Sequence, residues 1–156
     1  MLLVQGLRNS LPAKRRLEGL QQTLAGHDVS LASLDTNWNR AEARSAVADW
    51  MRLGRGMPDL VVGQNDEVAL GARDALAERL APLELKNIPF LGCDGLPTGG
   101  QQWVRTGTLA ATVVTPMAAE AAIEALASFY DGAGSPSLQL LTTPESFPPL
   151  EQLRGG

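Results

Sequence analysis

Short apolar runs alternate along this chain with longer stretches whose apolar residues return every three or four positions. Residues 2–4 (Leu-Leu-Val) form the first run. The stretch from Pro12 carries Leu17, Leu20 and Leu24 at helical spacing and stops at Gly26, a residue suited to ending a helix. Residues 28–34 alternate apolar and polar, as a half-buried strand does. A helix over about 39–53 puts Ala43, Val47, Trp50 and Met51 on one face. Residues 60–62 read as a strand, 66–80 as a helix turning Ala69, Ala72, Leu76 and Leu80 inward, and 88–93 as a strand again. A short helix near 99–106, a strand at 109–114, an alanine-rich helix over 117–130 and a last strand at 138–141 follow. Pro144, Pro148 and Pro149 then predict that residues 143–156 are an irregular tail.

Connections of this length imply parallel strands, and a parallel sheet is covered by helices on both faces. Crossover handedness and short loops reduce the options to a doubly wound, Rossmann-like α/β layer. At 156 residues the chain fits one domain that buries roughly 68–70% of its extended surface. Its hydrophobic fraction of 44% argues against disorder, and its net charge of −4 against a nucleic-acid surface. A single cysteine excludes an internal disulfide, and one cysteine with one histidine makes no zinc cluster, so no metal or cofactor is expected. The start lacks the basic region and long apolar stretch of a leader, and no run reaches the ~18 apolar residues of a membrane span.

In an open parallel sheet, ligands bind beyond the carboxyl ends of the strands. The loops expected at that edge collect polar chemistry: Arg8, Asn9, Ser10 and Lys14 after the first strand, and Asp35, Thr36, Asn37 and Trp38 after the second. Gln64, Asn65 and Asp66 follow the third strand, and Asp94 the fourth. Amides and carboxylates bond adjacent sugar hydroxyls in pairs, while an indole covers the apolar face of the ring. Plainer roles compete. Asn65 or Asp66 can simply cap the helix that follows, Asp94-Gly95 can be a tight turn, and Trp38 can fold back on the core. Trp50 and Trp103 read as packing residues, Cys93 as an inert buried thiol, and His27 as a cation at a helix end. Lys14-Arg15-Arg16 has no ready structural reason, because cations in a helix's first turn oppose its dipole. There is no G-x-S-x-G elbow and no phosphate loop, so no enzyme activity is expected.

Four stretches together resemble one family. Residues 63–72 (GQNDEVALGA) look like the "QNDEMALGA" segment of ribose-binding-type proteins, and residues 91–97 (LGCDGLP) like their "GFDGTP" turn. Residues 107–113 (GTLAATV) resemble "GKLAATI", and residues 12–20 (PAKRRLEGL) resemble "AARERGEGF", in matching order and spacing. The family comprises two-lobed sugar receptors of ABC transporters with the type 1 periplasmic-binding-protein fold. The resemblance implies that residues 1–142 are a C-terminal lobe and that Asn65 and Asp94 bond sugar hydroxyls. It also implies that Trp38 stacks on the ring in place of a Phe, and that Lys14 reaches the ligand in place of an Arg. Thr115 replaces a hinge Gln that contacts ligand, and Cys93 replaces a Phe. Asn9, on the first loop, is a further candidate contact. Further implications are a first lobe elsewhere in the protein, a membrane permease as partner and a periplasmic or extracytoplasmic location. The helix within 116–131 would cross to that other lobe, and without it would be covered by this lobe or by a second copy, as a homodimer or swapped dimer. The effector-binding lobe of a LacI-type transcription regulator shares the fold and is the alternative.

Overall fold

The computed structural model describes residues 1–135 and 141–153. Among these residues six strands form one sheet: β1 (Leu2–Gln5), β2 (Ala32–Asp35), β3 (Val61–Gly63), β4 (Phe90–Asp94), β5 (Ala111–Val114) and β6 (Glu145–Phe147). Their order is β2-β1-β3-β4-β5-β6, with every pair parallel except β5 with β6. β1 is central and buried along its whole length, which is why it reads as a continuous apolar run rather than an alternation. The chain leaves β1 toward β2, then returns past it to β3, so the winding direction reverses at β1. A crevice at the carboxyl end of β1 is the consequence.

Among the described residues the helices are α1 (Leu11–Leu24), α2 (Arg40–Arg52), α3 (Asp66–Ala77), α4 (Pro82–Lys86), α5 (Gly100–Arg105), α6 (Ala118–Tyr130) and α7 (Leu150–Leu153). Strand alternation divides the core between the two faces. Leu2, Val4, Val61 and Phe90 meet Ala43 and Val47 of α2 and Val68, Ala69, Ala72 and Leu76 of α3 in the main cluster. Gly71 lets α2 and α3 touch, since a Cβ there would stand 2.2 Å from the Arg40 carbonyl oxygen. Arg40 then clamps Asp74 through two hydrogen bonds of 2.6 and 2.9 Å. Leu3 and Val62 face the other way, toward Gly19 and Leu20 of α1, and line a cavity of about 530 Å³ there.

Several boundaries differ from the sequence pattern. The strand expected at 28–34 is Ala32–Asp35, because only these residues pair with β1, while the Val29 amide turns back to the His27 carbonyl. The pattern misses α4, whose start is marked by Pro82 and by Glu84 accepting the Ala81 amide at 2.9 Å. Within the tail expected to be irregular, the described residues 143–153 form β6 and α7. Pro144 and Pro148 bracket the three residues of β6 without interrupting them, so Glu145, Ser146 and Phe147 pair antiparallel with Val114, Val113 and Thr112 at the sheet edge. The expected strand at 138–141 falls, but for Leu141, outside the described residues. The expected helix over 117–130 forms as α6, and none of its residues is buried. Ile123, Leu126, Phe129 and Tyr130 are 66, 52, 42 and 82% exposed.

Candidate functional site

At the carboxyl edge of the sheet, the loop between β2 and α2 carries Trp38 in a left-handed conformation with φ of 65°. Its neighbours hold it there. Asn39 caps α2 by accepting the Glu42 amide at 2.8 Å, and Glu42 reaches back to the Asn37 amide and carboxamide at 3.0 and 3.2 Å. Hydrogen bonding from the side chain of Asn39 and then of Asn37 holds the Glu42 carboxyl below the usual carboxylate range. The Trp38 carbonyl accepts from Asn65 Nδ2 at 3.1 Å. The indole lies against Gly6 at the end of β1 so closely that a Cβ on Gly6 would come within 2.1 Å of Trp38 Cδ2. Trp38 is therefore only half-buried, resting one face on backbone instead of sinking into the core.

Asp94 ends β4 with φ of 108°, and with Trp38 it is one of two non-glycine residues at positive φ among the described residues. Such a conformation costs of order 1–3 kcal/mol and persists only when the surroundings over-determine it. They do so here. The Asp94 carbonyl accepts the Thr115 amide at 3.1 Å, and the next amide, Gly95, donates to Asp66 Oδ2 at 2.9 Å. Asp66 is a buried carboxylate whose other oxygen accepts the Thr112 hydroxyl at 2.6 Å. Burial pushes its carboxyl above the ordinary range, against the two hydrogen bonds that favour the charged form. Gly92 and Gly100 leave room for it, since a Cβ on either would meet its carboxylate oxygens at 2.1–2.2 Å.

The cation at this edge is Arg16. Its guanidinium donates to the Gln64 carbonyl and, at 2.9 Å, to Asp94 Oδ1, and lies 5.5 Å from the Trp38 ring centroid. Gln64 is buried and staples the first loop, accepting the Gly6 amide at 3.0 Å and donating to the Ala13 carbonyl at 2.9 Å. Asn65 caps α3 through the Val68 amide at 2.8 Å, so its carboxamide serves both the cap and the Trp38 loop and keeps one N–H for another partner. The edge thus joins Trp38, Asn65 and Asp94 through direct contacts and through Arg16.

The other candidates stand apart. Lys14 and Asn9 line a separate polar depression with Arg8, Ser33 and Asp35 at the β1–β2 end. Thr115 touches the cluster through its backbone, while its hydroxyl sits 3.8 Å from Cys93 Sγ at the mouth of the cavity under α1. Cys93 is half-buried and burial pushes its thiol up, opposed by the charge of Arg16. Trp50 and Trp103 pack against the core. Sequence reasoning placed Gln64 and Asp66 at this edge without saying what they hold, and missed Gly6 and Arg16 as shapers of it. Only the uncomfortable Lys14-Arg15-Arg16 run signalled one of them. Three successive helical positions point in three directions, and only the third points at the cluster.

Such an edge offers a carboxylate with an oxygen left for hydroxyls, an amide N–H and an indole face. Among the described residues no group of three or more His, Cys, Asp or Glu gathers to hold a metal ion. The sequence profile of the family described as "Periplasmic binding protein domain" matches residues 1–133. The chain belongs to this family. Two curated members of known ligand are similar to it. The ribose import binding protein of Escherichia coli strain K12 is 34% identical over 113 residues, covering 70% of this chain and 36% of its own length. The xylitol-binding protein of Mycolicibacterium smegmatis is 33% identical over 101 residues, covering 64% and 28%. Among solved structures, the periplasmic binding component of the arabinose ABC transporter from Shewanella sp. ANA-3, bound to arabinofuranose, superposes with a TM-score of 0.78. It is 25% identical, covering 94% of this chain and 49% of that one. A dimeric Lac repressor has the same fold at a TM-score of 0.70 and 20% identity, covering 90% of this chain and 50% of that one. This periplasmic binding protein domain therefore spans about a third of the curated relatives and about half of these solved chains.

Proposed function

We propose that this chain is the recognition lobe of an ABC-transporter solute-binding protein that holds a monosaccharide or related sugar non-covalently in a cleft between two lobes. The observation that carries this reading is the strained pair Trp38 and Asp94, pinned at one sheet edge with Asn65 between their loops. Strain maintained by so many bonds marks a position kept for a purpose other than folding. The indole supplies a ring-sized apolar platform, the Asp94 carboxylate accepts hydroxyl protons, and Asn65 donates to a hydroxyl oxygen. Thr115, and Lys14 and Asn9 further out, would border the ligand. Closure of a second lobe over this edge would exclude water and supply the remaining contacts. The likeness to ribose-, xylitol- and arabinose-binding proteins supports a pentose-sized sugar or polyol. No chemical turnover is proposed. The whole protein would work outside the cytoplasmic membrane and deliver its ligand to a permease.

A thermal-shift screen of pentoses, hexoses and polyols tests the site. A wild-type chain stabilised by at least one of them, with the shift lost in Trp38→Ala and Asp94→Asn, supports the reading. A shift that survives in both variants contradicts it.

The likeness to the Lac repressor favours one second reading, the effector-binding lobe of a transcription regulator. The amino-terminal portion of the whole protein separates the two: a leader and a matching first lobe for the receptor, a DNA-binding helix pair for the regulator.

A further inference from the structure

We infer that the isolated chain pairs with a second copy of itself by exchanging α6, the helix of each copy docking on the open sheet face beside α1 of the other. The inference is independent of the sugar reading, since neither surface includes Trp38, Asn65 or Asp94. Two apolar surfaces of this chain lack a partner among the described residues. The first is α6, where Ile123, Leu126 and Tyr130 recur at helical spacing and are 66, 52 and 82% exposed. The second is part of the sheet. A mostly parallel sheet needs cover on both faces, and α2 and α3 supply it on one. On the other face, α1 is the only helix among the described residues to line the cavity over β1, β3, β4 and β5. Cover fades with distance from α1. Leu3 of β1 is 1% exposed, Val62 of β3 and Cys93 of β4 are half-buried, and Val113 of β5 is 41% exposed. Cys93 and Val113 are register partners and so share that face. One more helix beside α1 would complete the layer.

Charge points to α6 as that helix. Two cations, Arg15 and Arg16, line the cavity, and no carboxylate does. α6 carries Glu120 and Glu124 along the flank of its apolar stripe and no cation. The Arg15 pair with Glu18 of its own helix is more than half exposed on both sides, so it is readily exchanged. The connection favours a second copy over the chain's own face. β6 runs antiparallel to β5 with Glu145 opposite Val114, so residues 115–144 leave and rejoin the sheet at the same end. The Thr115 amide is still bonded to the Asp94 carbonyl at 3.1 Å, which leaves Pro116 and Met117 to set the direction of α6. Proline fixes one of their φ angles, and no residue of α6 is buried against its own lobe. Reciprocal use of the same two surfaces makes a closed twofold contact that leaves neither exposed.

The test uses the full 156-residue chain, whose sole cysteine, Cys93, lies on the face in question. As concentration rises, light-scattering mass should pass from one chain to two, and the rate at which a maleimide modifies Cys93 should fall about tenfold or more. Val113→Asp on the face and Ile123→Asp on the helix should each keep the mass at one chain and Cys93 reactive, with circular dichroism and a cooperative melt retained. Mixing wild type with the double variant Cys93→Ser, Leu126→Cys places one thiol on the face of one chain and one on the helix of the other. Mild oxidation of that mixture should join unlike chains in excess over like ones. A dimer that survives Val113→Asp, or disulfides between like chains alone, would overturn the exchange. So would a monomer at all concentrations, whether its Cys93 stays reactive or is protected by the chain's own α6.

Discussion

At Trp38 and Asp94 the backbone adopts conformations that elsewhere in the described chain fall to glycines such as Gly26, Gly95 and Gly107. Asp94→Gly therefore removes strain worth of order 1 kcal/mol while losing a half-exposed ion pair worth about 0–1 kcal/mol. Stability should change little, so the melting temperature should stay within a few degrees while the response to sugar disappears. A large fall in melting temperature with binding retained would refute the strain argument. Gly6→Ala puts a methyl group into the indole and should displace Trp38, changing tryptophan emission and weakening sugar binding by about tenfold. Asp66 titrates in the opposite sense to most carboxylates. Its folded-state value is raised, so its contribution to stability is full below the unfolded value near 3.9 and is lost as pH rises through the raised value. Asp66→Asn can keep both hydrogen bonds, since Thr112 can accept as well as donate. Denaturant melts across pH should show the wild type gaining on this variant as pH falls; a constant difference would contradict the burial of the charge. Asn65 and Asp94 were visible in the sequence because their chemistry is local. Gly6 and Arg16 were not, and Gln64 was placed at the edge without its role, because their meaning lies in contacts 32, 78 and 58 positions away that no local pattern records.

Among the elements, those with an apolar face turned to the core were legible: β1, α2 and α3 lie within a few residues of their predicted spans because burial imposes the period. Two elements were not. β6 is an edge strand held by pairing with β5, and its prolines argue against it until their flanking positions are seen. α4 is too short to show a period. α6 poses the opposite problem, a patterned helix of which no residue is buried among the described residues. Glu120 and Glu124 share one side, while Ile123, Leu126 and Tyr130 are exposed. We propose that this face is covered by another lobe or, in the isolated chain, by a second copy. Leu126→Asp should then leave the melting temperature of a dilute sample unchanged, because Leu126 is 52% exposed and outside the buried core, and should shift light-scattering mass from dimer toward monomer. A monomeric wild type with α6 exposed would contradict the coverage.

For the whole molecule, the doubly wound sheet, the edge cluster and the partial span of its relatives support the proposal that this edge is a half-site. One lobe can hold recognition residues in place, yet it leaves the ligand's other face in water and gives up the contacts of closure. The account is tested most directly by calorimetric titration of the isolated chain with the neutral sugar or polyol that gives the largest thermal shift, beside the same titration of the protein carrying both lobes. The half-site account predicts dissociation constants of about 1 mM or weaker for the chain alone and about 1 μM or tighter for the two-lobed protein, a gap of roughly 4 kcal/mol. Nanomolar binding by the isolated chain would show that this edge is a complete site, and would contradict it.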